Sequence, residues 1–360
     1  MKILYLINYN LNENSGVVNK IKQQVIQWRK EHEVYIVSIK NFTIYNSEFN
    51  IYYKEKELPR FLNKSGRVFT FIKLIYSAYR LPVLIDRLNF DIIYMRYLLY
   101  MPFLRKVMKQ YKVIMEINSD DILEYKLNSK MTYYYNLITR DKTLIHINGF
   151  VCVSYELKDK FIKYGKPIRI IANGINVEEY KYYLEMKNKK PRLVFIGSPH
   201  QSWHGIDKIE KMAEYFNRFE FYIIGVSKKN TNNISYLGYL PNQEATKIIS
   251  KCDVGIGTLS LYKTALEEAS PLKTRQYFAC ALPVIYAYKD SDIEGEKDFY
   301  LELENGENNM DYSQIENFVK KVYGESVYRE KAREFAVDKL DYGKKEKVRI
   351  AFFDRILNAK

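Results

Sequence analysis

The feature that most constrains this chain is a regular alternation of short apolar runs with longer segments of helical period. KILYLIN leads to VVNKIKQQVIQWRK and then VYIVSI, and FVCVS leads to YELKDKFIKYG and then IRIIANG. The short runs are rich in Ile, Val and Tyr and are apolar on both faces, as is typical of parallel strands covered by helices. We therefore predict an α/β fold made of βαβ units.

The alternation pauses once, at the polar and charged residues 175–192, and restarts with LVFIGS. We predict two tandem Rossmann-like, doubly wound domains, over residues 1–175 and 192–340, joined by a linker over 176–191. A C-terminal helix over 341–360 can pack back on the first domain. Since such sheets bind ligands beyond the carboxyl ends of their strands, we expect the site in a cleft between the domains.

Composition narrows the class of partner. The chain is 47% hydrophobic with a formal net charge of +14, so a packed protein with an anionic partner is expected. Nucleic acid, a membrane surface and phosphorylated small molecules all remain open at this point. The three cysteines lack C-x-x-C spacing, and no apolar run is long enough to span a membrane. We predict a cytoplasmic protein, which can also be peripheral on the inner face of the cell membrane.

Two common nucleotide motifs are missing from the sequence. No G-x-G-x-x-G follows the first strand and no G-x-x-x-x-G-K-[ST] occurs, which disfavours a dinucleotide-binding dehydrogenase and a P-loop enzyme. Instead, Ser15 and Gly16 follow the first strand and open a helix, where Gly16 allows a ligand to approach the backbone closely. An ordinary helix start explains this pair equally well.

The segment EEASPLK combines a helix start with both signs of charge. We predict Ser270 as the N-cap, so that the backbone N–H groups of Leu272 and Lys273 point toward an anion. The side chain of Lys273 adds a full positive charge, and Glu268 stands where it can accept hydrogen bonds from hydroxyl groups. An anion site beside a hydroxyl-binding carboxylate suits a nucleotide sugar.

The segment EEASPLKTRQYFACALPVI resembles the E-x7-E region of retaining glycosyltransferases with the GT-B fold, the large family 4. IIANGINVEEY, FIGSPHQSWHGID, and FDIIYMRYLL with KVIMEINSDDILEY resemble further landmarks of that family, in the same order. The resemblance implies a metal-independent hexosyltransferase without a cofactor, whose first domain binds the acceptor and whose second binds the donor. It implies a nucleotide diphosphate sugar as donor, with a UDP-sugar favoured over a GDP-sugar, and a role in bacterial surface polysaccharide synthesis.

The sequence departs from the family at the donor site. Gln276 stands where the family has its second Glu, which binds ribose, so we expect weakened donor binding. Ser198 and His204 stand where many members have Arg and Lys on the diphosphate. The resemblance thus leaves Lys273 to stabilise the leaving group, with His204 helping if it is protonated.

A third departure lies in the first domain. Asn118 stands where many members have a His, with Glu116 and Asp120 as neighbours, so general-base catalysis from Asn118 is not expected. Asn118 can still bind the donor sugar or orient the acceptor, and an ordinary turn at a strand end carries equal weight. The predicted catalytic residues are Glu268, Lys273 and Asn118, and the predicted donor-binding residues are Gly16, Ser198, His204, Gly205, Ser270, Leu272 and Gln276.

A basic, aromatic stretch over residues 56–80 has two interpretations. It is a surface helix that leans on an anionic membrane, as an acceptor glycan linked to a polyprenyl diphosphate would require, or a packed helix with a solvated basic face. Its basic residues are Lys56, Arg60, Lys64, Arg67, Lys73 and Arg80.

Other functions fit less well. A nucleotide-sugar epimerase or a phosphorylase on the same scaffold is the main alternative, although the dense set of ionisable residues of epimerases is missing. A nucleic-acid-binding protein rests on charge alone, since no binding motif is present, and we expect no nucleic acid partner. Asp290 and Asp292 mimic a metal-binding D-x-D; we interpret them as a solvated loop and predict no metal site.

Overall fold

The computed structural model describes residues 1–13, 15–41, 43–54, 88–102, 104–185, 188–295, 297–308 and 310–359, with residues 69, 72, 75, 76, 79, 82, 83 and 85. The chain divides into two compact units, Met1–Ile171 with Glu346–Lys360, and Ala172–Lys345. The six basic residues of the predicted membrane stretch over 56–80 lie outside the described residues.

The first unit contains an eight-stranded sheet with the order β4-β3-β2-β1-β5-β6-β7-β8. Strands β1 and β2 and strands β5 to β8 pair in parallel, whereas β3 and β4 form an antiparallel edge. The strands are β1 (Lys2–Ile7), β2 (Glu33–Ser38), β3 (Thr43–Asn46), β4 (Ile51–Lys54), β5 (Ile92–Arg96), β6 (Lys112–Ile117), β7 (Gly149–Cys152) and β8 (Ile168–Ile170).

Serine and aspartate caps begin the helices of this unit. Ser15, Asp120, Ser129 and Ser154 each accept a hydrogen bond from a backbone N–H in the first turn, which satisfies donors that the helix itself leaves unpaired. The described helices are α1 (Gly16–Trp28), α2 (Leu104–Gln110), α3 (Asp121–Asn128), α4 (Lys130–Leu144) and α5 (Tyr155–Phe161).

The second unit contains a six-stranded, fully parallel sheet with the order β11-β10-β9-β12-β14-β16, and a two-stranded ladder of β13 and β15. Its strands are β9 (Arg192–Ile196), β10 (Glu220–Ile224), β11 (Ile234–Gly238), β12 (Val254–Ile256), β13 (Glu268–Ala269), β14 (Val284–Tyr286), β15 (Lys289–Asp290) and β16 (Tyr300–Glu302). Its helices are α6 (Ile206–Tyr215), α7 (Asn242–Ile249), α8 (Leu272–Ala279), α9 (Tyr312–Val322) and α10 (Ser326–Phe335).

Both sheets are buried by helices, and the predicted α/β class with two doubly wound sheets is confirmed. The predicted linker over 176–191 differs from the structure. Val177 and Tyr180 are buried in the core of the second unit, so this segment is part of that unit and is not a separate linker.

The last helix, α11 (Tyr342–Asn358), belongs to the first unit from Glu346 onward. Phe352 and Ile356 lie so close to Gly149 that a Cβ there would meet both side chains at 3.0 Å. Glu346 accepts a hydrogen bond from the indole of Trp28 at 2.7 Å. Among the described helices, none is long and apolar enough to cross a membrane.

Candidate active site

The strand order of the second sheet marks one edge of it as a ligand site. The chain adds β10 and β11 on one side of β9 and then returns to place β12 on the other side. At such a switch point the loops after the two central strands diverge and leave room for a ligand beyond their carboxyl ends. The loops after β9 and β12 are residues 197–205 and 257–271, and they contain most of the predicted donor-binding residues.

Helix α8 begins beyond this edge without a side-chain cap. Pro271, in an extended conformation, occupies the N-cap position, and no described side chain caps the helix there. The first backbone N–H groups, those of Leu272 and Lys273, therefore keep the capacity to bind an anion. Anion binding at this helix start stays a prediction.

The predicted role of Ser270 as the N-cap is wrong. The helix begins two residues later, and the Ser270 hydroxyl instead accepts from the backbone N–H of Asn173 at 2.7 Å. The Asn173 amide nitrogen also donates to the Ser270 carbonyl at 2.5 Å. Ser270 thus holds the segment before α8, and Asn173 is a residue that sequence reasoning missed as part of this support.

Lys273 lies inside the site next to two rings. Its Nζ is 4.2 Å from the centre of the Phe195 ring and 3.0 Å from Nδ1 of His204. Burial lowers the pKa of Lys273 well below its ordinary value, since the site offers its charge a ring face and a neutral imidazole in place of water. An anion bound at the start of α8 would stabilise that charge.

The condition under which His204 was expected to help, a protonated imidazole, is not favoured by its surroundings. Burial, together with the neighbouring Lys273, lowers the pKa of His204 to about 3, so the imidazole is neutral at physiological pH. Gly205, which follows it, has φ of +74° and is the N-cap residue of α6. A Cβ at Gly205 would meet the Cβ of Leu259 and Oγ of Ser260 at 2.9 Å, so only glycine lets the two loops pack here.

The remaining donor-site predictions are placed as follows. Ser198 is exposed in the loop after β9. Glu268 lies in β13, opposite Lys289 of β15, and is half-buried. The side chain of Gln276 is buried, and its amide nitrogen donates to Oδ1 of Asn242 at 3.3 Å and to Oγ1 of Thr246 at 3.4 Å. The start of α7 thus orients the amide of Gln276.

Asp290 and Asp292 do not form the solvated loop that we predicted. The Arg275 guanidinium, 1% exposed, donates to both carboxylates of Asp290 and Asp292, and Nη2 lies 2.7 Å and 2.8 Å from them. Lys345 pairs with Asp292 as well. Arg275 Nε donates to the carbonyl of Asn173 at 3.1 Å. This buried network, which sequence reasoning missed, fixes α8 relative to residues before and after it in the second unit.

The first unit has its own switch point, between β1 and β5. Gly16 is exposed there as the first residue of α1, and Ser15 Oγ accepts from the N–H of Val18 at 3.2 Å. Asn118 follows β6, and its Oδ1 accepts from Nζ of Lys20 at 2.7 Å. Asp120, predicted as a neighbour, is the N-cap of α3 and pairs with Lys160 at 2.7 Å.

A buried charge cluster lies beneath Asn118. Glu116 is fully buried and lies 2.9 Å from Lys20, 3.4 Å from Arg96 and 3.5 Å from Arg349. Burial acts to raise the pKa of Glu116, but these three cations outweigh it and hold the pKa below its ordinary value. Burial lowers the pKa of Lys20 to about 8, although Glu116 opposes this. Sequence reasoning found Glu116 but none of its three partners.

Among the described residues, no three His, Cys, Asp or Glu side chains lie together in a way that could hold a metal ion. The carboxylates of Asp290 and Asp292, which resembled a metal-binding D-x-D in the sequence, are paired with cations.

Comparison with known proteins agrees with this geometry. Residues 15–179 match the family model described as Glycosyltransferase Family 4. No curated protein sequence matches the chain. Among solved structures, sucrose-phosphate synthase from Thermosynechococcus elongatus superposes with a TM-score of 0.73 at 12% identity, over 100% of both chains. A glycosyltransferase from Rickettsia africae gives 0.67 at 15% identity, over 100% of this chain and 99% of that one.

A third solved structure is HepE from Anabaena in complex with UDP-glucose, with a TM-score of 0.64 at 12% identity over 99% of this chain and 100% of that one. Together with the two sheets and their switch points, these findings show the class of fold: the chain has the GT-B fold, which these glycosyltransferase structures share. The similarity to glycosyltransferase family 4 covers a little less than half of the chain.

Proposed function

We propose that the chain is a retaining hexosyltransferase that moves a sugar from a nucleotide diphosphate sugar, a UDP-sugar in preference to a GDP-sugar, to a glycan or a polyprenyl-diphosphate-linked glycan. Its place would be bacterial surface polysaccharide synthesis, in the cytoplasm or at the inner face of the cell membrane. The observation that carries this proposal is the uncapped start of α8 with Lys273 beside it. The HepE structure, which was solved with UDP-glucose, supports UDP as the nucleotide.

The second unit would bind the donor. The diphosphate accepts hydrogen bonds from the N–H groups of Leu272 and Lys273, where the helix dipole favours negative charge. The ammonium of Lys273 adds a charge that the protein holds weakly until the anion arrives. Ser198 and Gly205 line the same edge from the loop after β9. Such positioned donors stabilise the charge that develops on the leaving diphosphate.

The sugar and the ribose would be held by the remaining predicted residues. Glu268 accepts hydrogen bonds from hydroxyl groups of the transferred sugar. Gln276 contacts the ribose, and its loss of charge relative to glutamate weakens that contact by about 1 kcal/mol. His204 remains neutral, and its Nδ1 keeps Lys273 in place by accepting a hydrogen bond from Nζ.

The first unit would bind the acceptor, with Asn118 as a hydrogen-bond donor. Because Oδ1 of Asn118 already accepts from Lys20, its amide group presents N–H to a ligand. A hydroxyl or phosphate oxygen of the acceptor can accept a hydrogen bond from this N–H. The amide of Asn118 cannot remove a proton from the acceptor. Deprotonation is therefore assigned to the departing phosphate, on the same face of the sugar, which is consistent with retention.

A thermal-shift panel tests the proposal. UDP, GDP, ADP and their sugar derivatives are added to the full chain, with and without EDTA. We expect UDP to raise the melting temperature most, by the same amount in EDTA, because the α8 start and Lys273 replace a metal. Stabilisation by no nucleotide, or only with added divalent cation, would contradict the proposal. Anomer-resolved NMR of the product then decides between retention and inversion.

A further inference from the structure

Helix α4 carries its apolar and polar side chains on the opposite sides from those expected of a helix on a protein surface. Its buried residues are Asn136, Thr139, Arg140, Thr143 and Leu144, mostly polar. Its exposed side chains include Met131, Tyr134, Leu137 and Ile138, with Leu127 of α3 and Ile145 at its two ends, and these six are between 44% and 75% exposed. We call these six residues the α4 face.

Specific bonds hold the helix in this rotation. Arg140 forms a two-point ion pair with the buried Asp121, with Nε and Nη2 at 2.7 Å and 2.9 Å from its two oxygens. Asn136 donates to Asp121 at 2.7 Å and accepts from the hydroxyl of Tyr97 at 2.6 Å. Turning the helix to bury its apolar side would break these bonds and leave a buried carboxylate unpaired, which is costly. The exposure of the α4 face is therefore built into the fold.

Exposed apolar surface of this kind marks a contact with another surface. Exposed cations surround the α4 face, and they outnumber the exposed carboxylates nearby, Glu124 and Asp141. The neighbouring helix α2 is tied to the end of α4 by a hydrogen bond from Arg105 to His146 at 3.2 Å. The exposed cations of α2, α3 and α4 are Arg105, Lys106, Lys109, Lys126, Lys130 and Lys142.

We propose that the α4 face docks into the headgroup region of an anionic membrane. An exposed helix with Tyr, Leu, Ile and Met on one side and lysines around them is the pattern of a helix lying in a lipid interface, and the fifteen residues of α4 give it a length of about 22 Å. A second copy of the chain is disfavoured as the occupant, because two such surfaces would bring like charges together.

The position of the α4 face indicates how an acceptor reaches Asn118, an inference that rests on the proposed function. Helix α3 begins three residues after Asn118 and ends at the α4 face. Eight residues of helix span about 12 Å, a distance that a lipid-linked glycan can cover when its lipid stays in the membrane. The face would therefore present a polyprenyl-diphosphate-linked acceptor to Asn118, and the class of acceptor is lipid-linked.

Vesicle co-sedimentation of the full chain tests the docking without any nucleotide sugar, so its outcome is independent of the proposed transfer reaction. Vesicles of phosphatidylcholine are compared with vesicles that also contain phosphatidylglycerol. We expect binding to the anionic vesicles and at least tenfold weaker binding of the Leu137→Glu/Ile138→Glu variant. The neutral Leu137→Gln/Ile138→Gln variant should also bind more weakly, which separates lost apolar contact from charge repulsion.

Two further sets of variants complete the test. Lys126→Gln, Lys130→Gln and Lys142→Gln should each weaken binding about fivefold. Val327→Glu/Val337→Glu adds the same two negative charges at exposed positions of the second unit and should bind like the wild type, with all melting temperatures close to one another. Equal binding of wild type and Leu137→Glu/Ile138→Glu, or no binding to anionic vesicles at low salt, would overturn the proposal. A dimer that Leu137→Glu dissociates would assign the face to a second copy instead.

Discussion

Nζ of Lys273 lies 3.0 Å from Nδ1 of His204, and the histidine is the partner that stays neutral. Lys273 is the member of the pair that can carry a positive charge at the start of α8. The imidazole accepts a hydrogen bond from its Nζ, and the Phe195 ring lies beside Nζ as well. Because burial lowers the pKa of both groups, the charge of Lys273 depends on what binds beside it. This relationship gives the first two predictions.

Replacing Lys273 by Ala should reduce turnover by about 10²–10³-fold, the effect of losing one preorganised donor to a developing charge. Lys251→Ala, an exposed lysine of the same unit, serves as the control and should keep wild-type turnover. Steady-state kinetics with the nucleotide sugar measure both. Unchanged turnover in Lys273→Ala would remove the residue from the catalytic machinery.

Binding of UDP should take up protons. The pKa of Lys273 is lowered by burial in the free protein, and a bound diphosphate raises it again, so the complex holds more protons than its free components. Affinity should accordingly fall as the pH rises between the two pKa values. Calorimetry in HEPES and in Tris at one mildly alkaline pH measures the protons directly, and Lys273→Met should abolish the difference between the buffers. A wild-type binding enthalpy that is independent of the buffer would refute this coupling.

Replacing Asn118 by Asp should lower kcat/KM for the acceptor by about 10²-fold, because an acceptor group then stands where a donor is required. UDP affinity should not change, since the diphosphate site lies in the second unit. Lys20→Met should produce a smaller loss, as it frees the Asn118 amide to turn. Lys20→Arg should restore part of the activity. Full activity of Asn118→Asp would show that the amide N–H is not used.

The Arg275–Asp290 pair should be important for stability. Asp290→Asn leaves a buried guanidinium short of its main counter-charge and should cost about 3–5 kcal/mol of the free energy of unfolding. Asp298→Asn breaks an exposed ion pair with Lys331, which solvent screens, and should leave the free energy of unfolding nearly unchanged. Urea unfolding of the two variants gives the comparison. Similar losses for both would mean that the buried network adds little.

Acid should destabilise the first unit through Glu116. Its folded pKa is held below the ordinary 4.5, so its contribution to stability is fully present above pH 4.5 and is lost as the pH falls toward the folded value. Glu116→Gln should be less stable than the wild type at neutral pH and should lose less stability than the wild type on acidification. Thermal unfolding across the acidic range measures this. Parallel curves for the two proteins would place the acid sensitivity elsewhere.

Local patterns in the sequence were enough to predict several of the strands and helix starts that carry the candidate site. The apolar runs of β1, β6 and β9 are contiguous in the chain, and so is the Pro-containing start of α8. Gly205 was identified because it follows a strand and opens a helix. Each of these signals depends on residues within a few positions of one another, which is the range over which backbone preference and periodicity act.

Hydrogen-bond and ion-pair partners that are far apart in the chain could not be predicted from such local patterns. Ser270 has the residue type and spacing of an N-cap, yet its hydroxyl is taken by Asn173, 97 residues away in the chain. Asp290 and Asp292 look like a polar loop until Arg275 and Lys345 are brought to them. Nothing in a single sequence connects such positions, because their pairing is decided by how the sheets and helices pack.

The sequence by itself determined the two largely parallel sheets and the helix starts at their carboxyl ends, since these follow from local hydrophobic period and short motifs. Only the tertiary structure decided the state of charge. It made His204 neutral by burial, gathered Lys20, Arg96 and Arg349 around Glu116, and turned α4 so that Asp121 faces Arg140. Charges depend on desolvation and on partners brought close in space, and those exist only once the chain has folded.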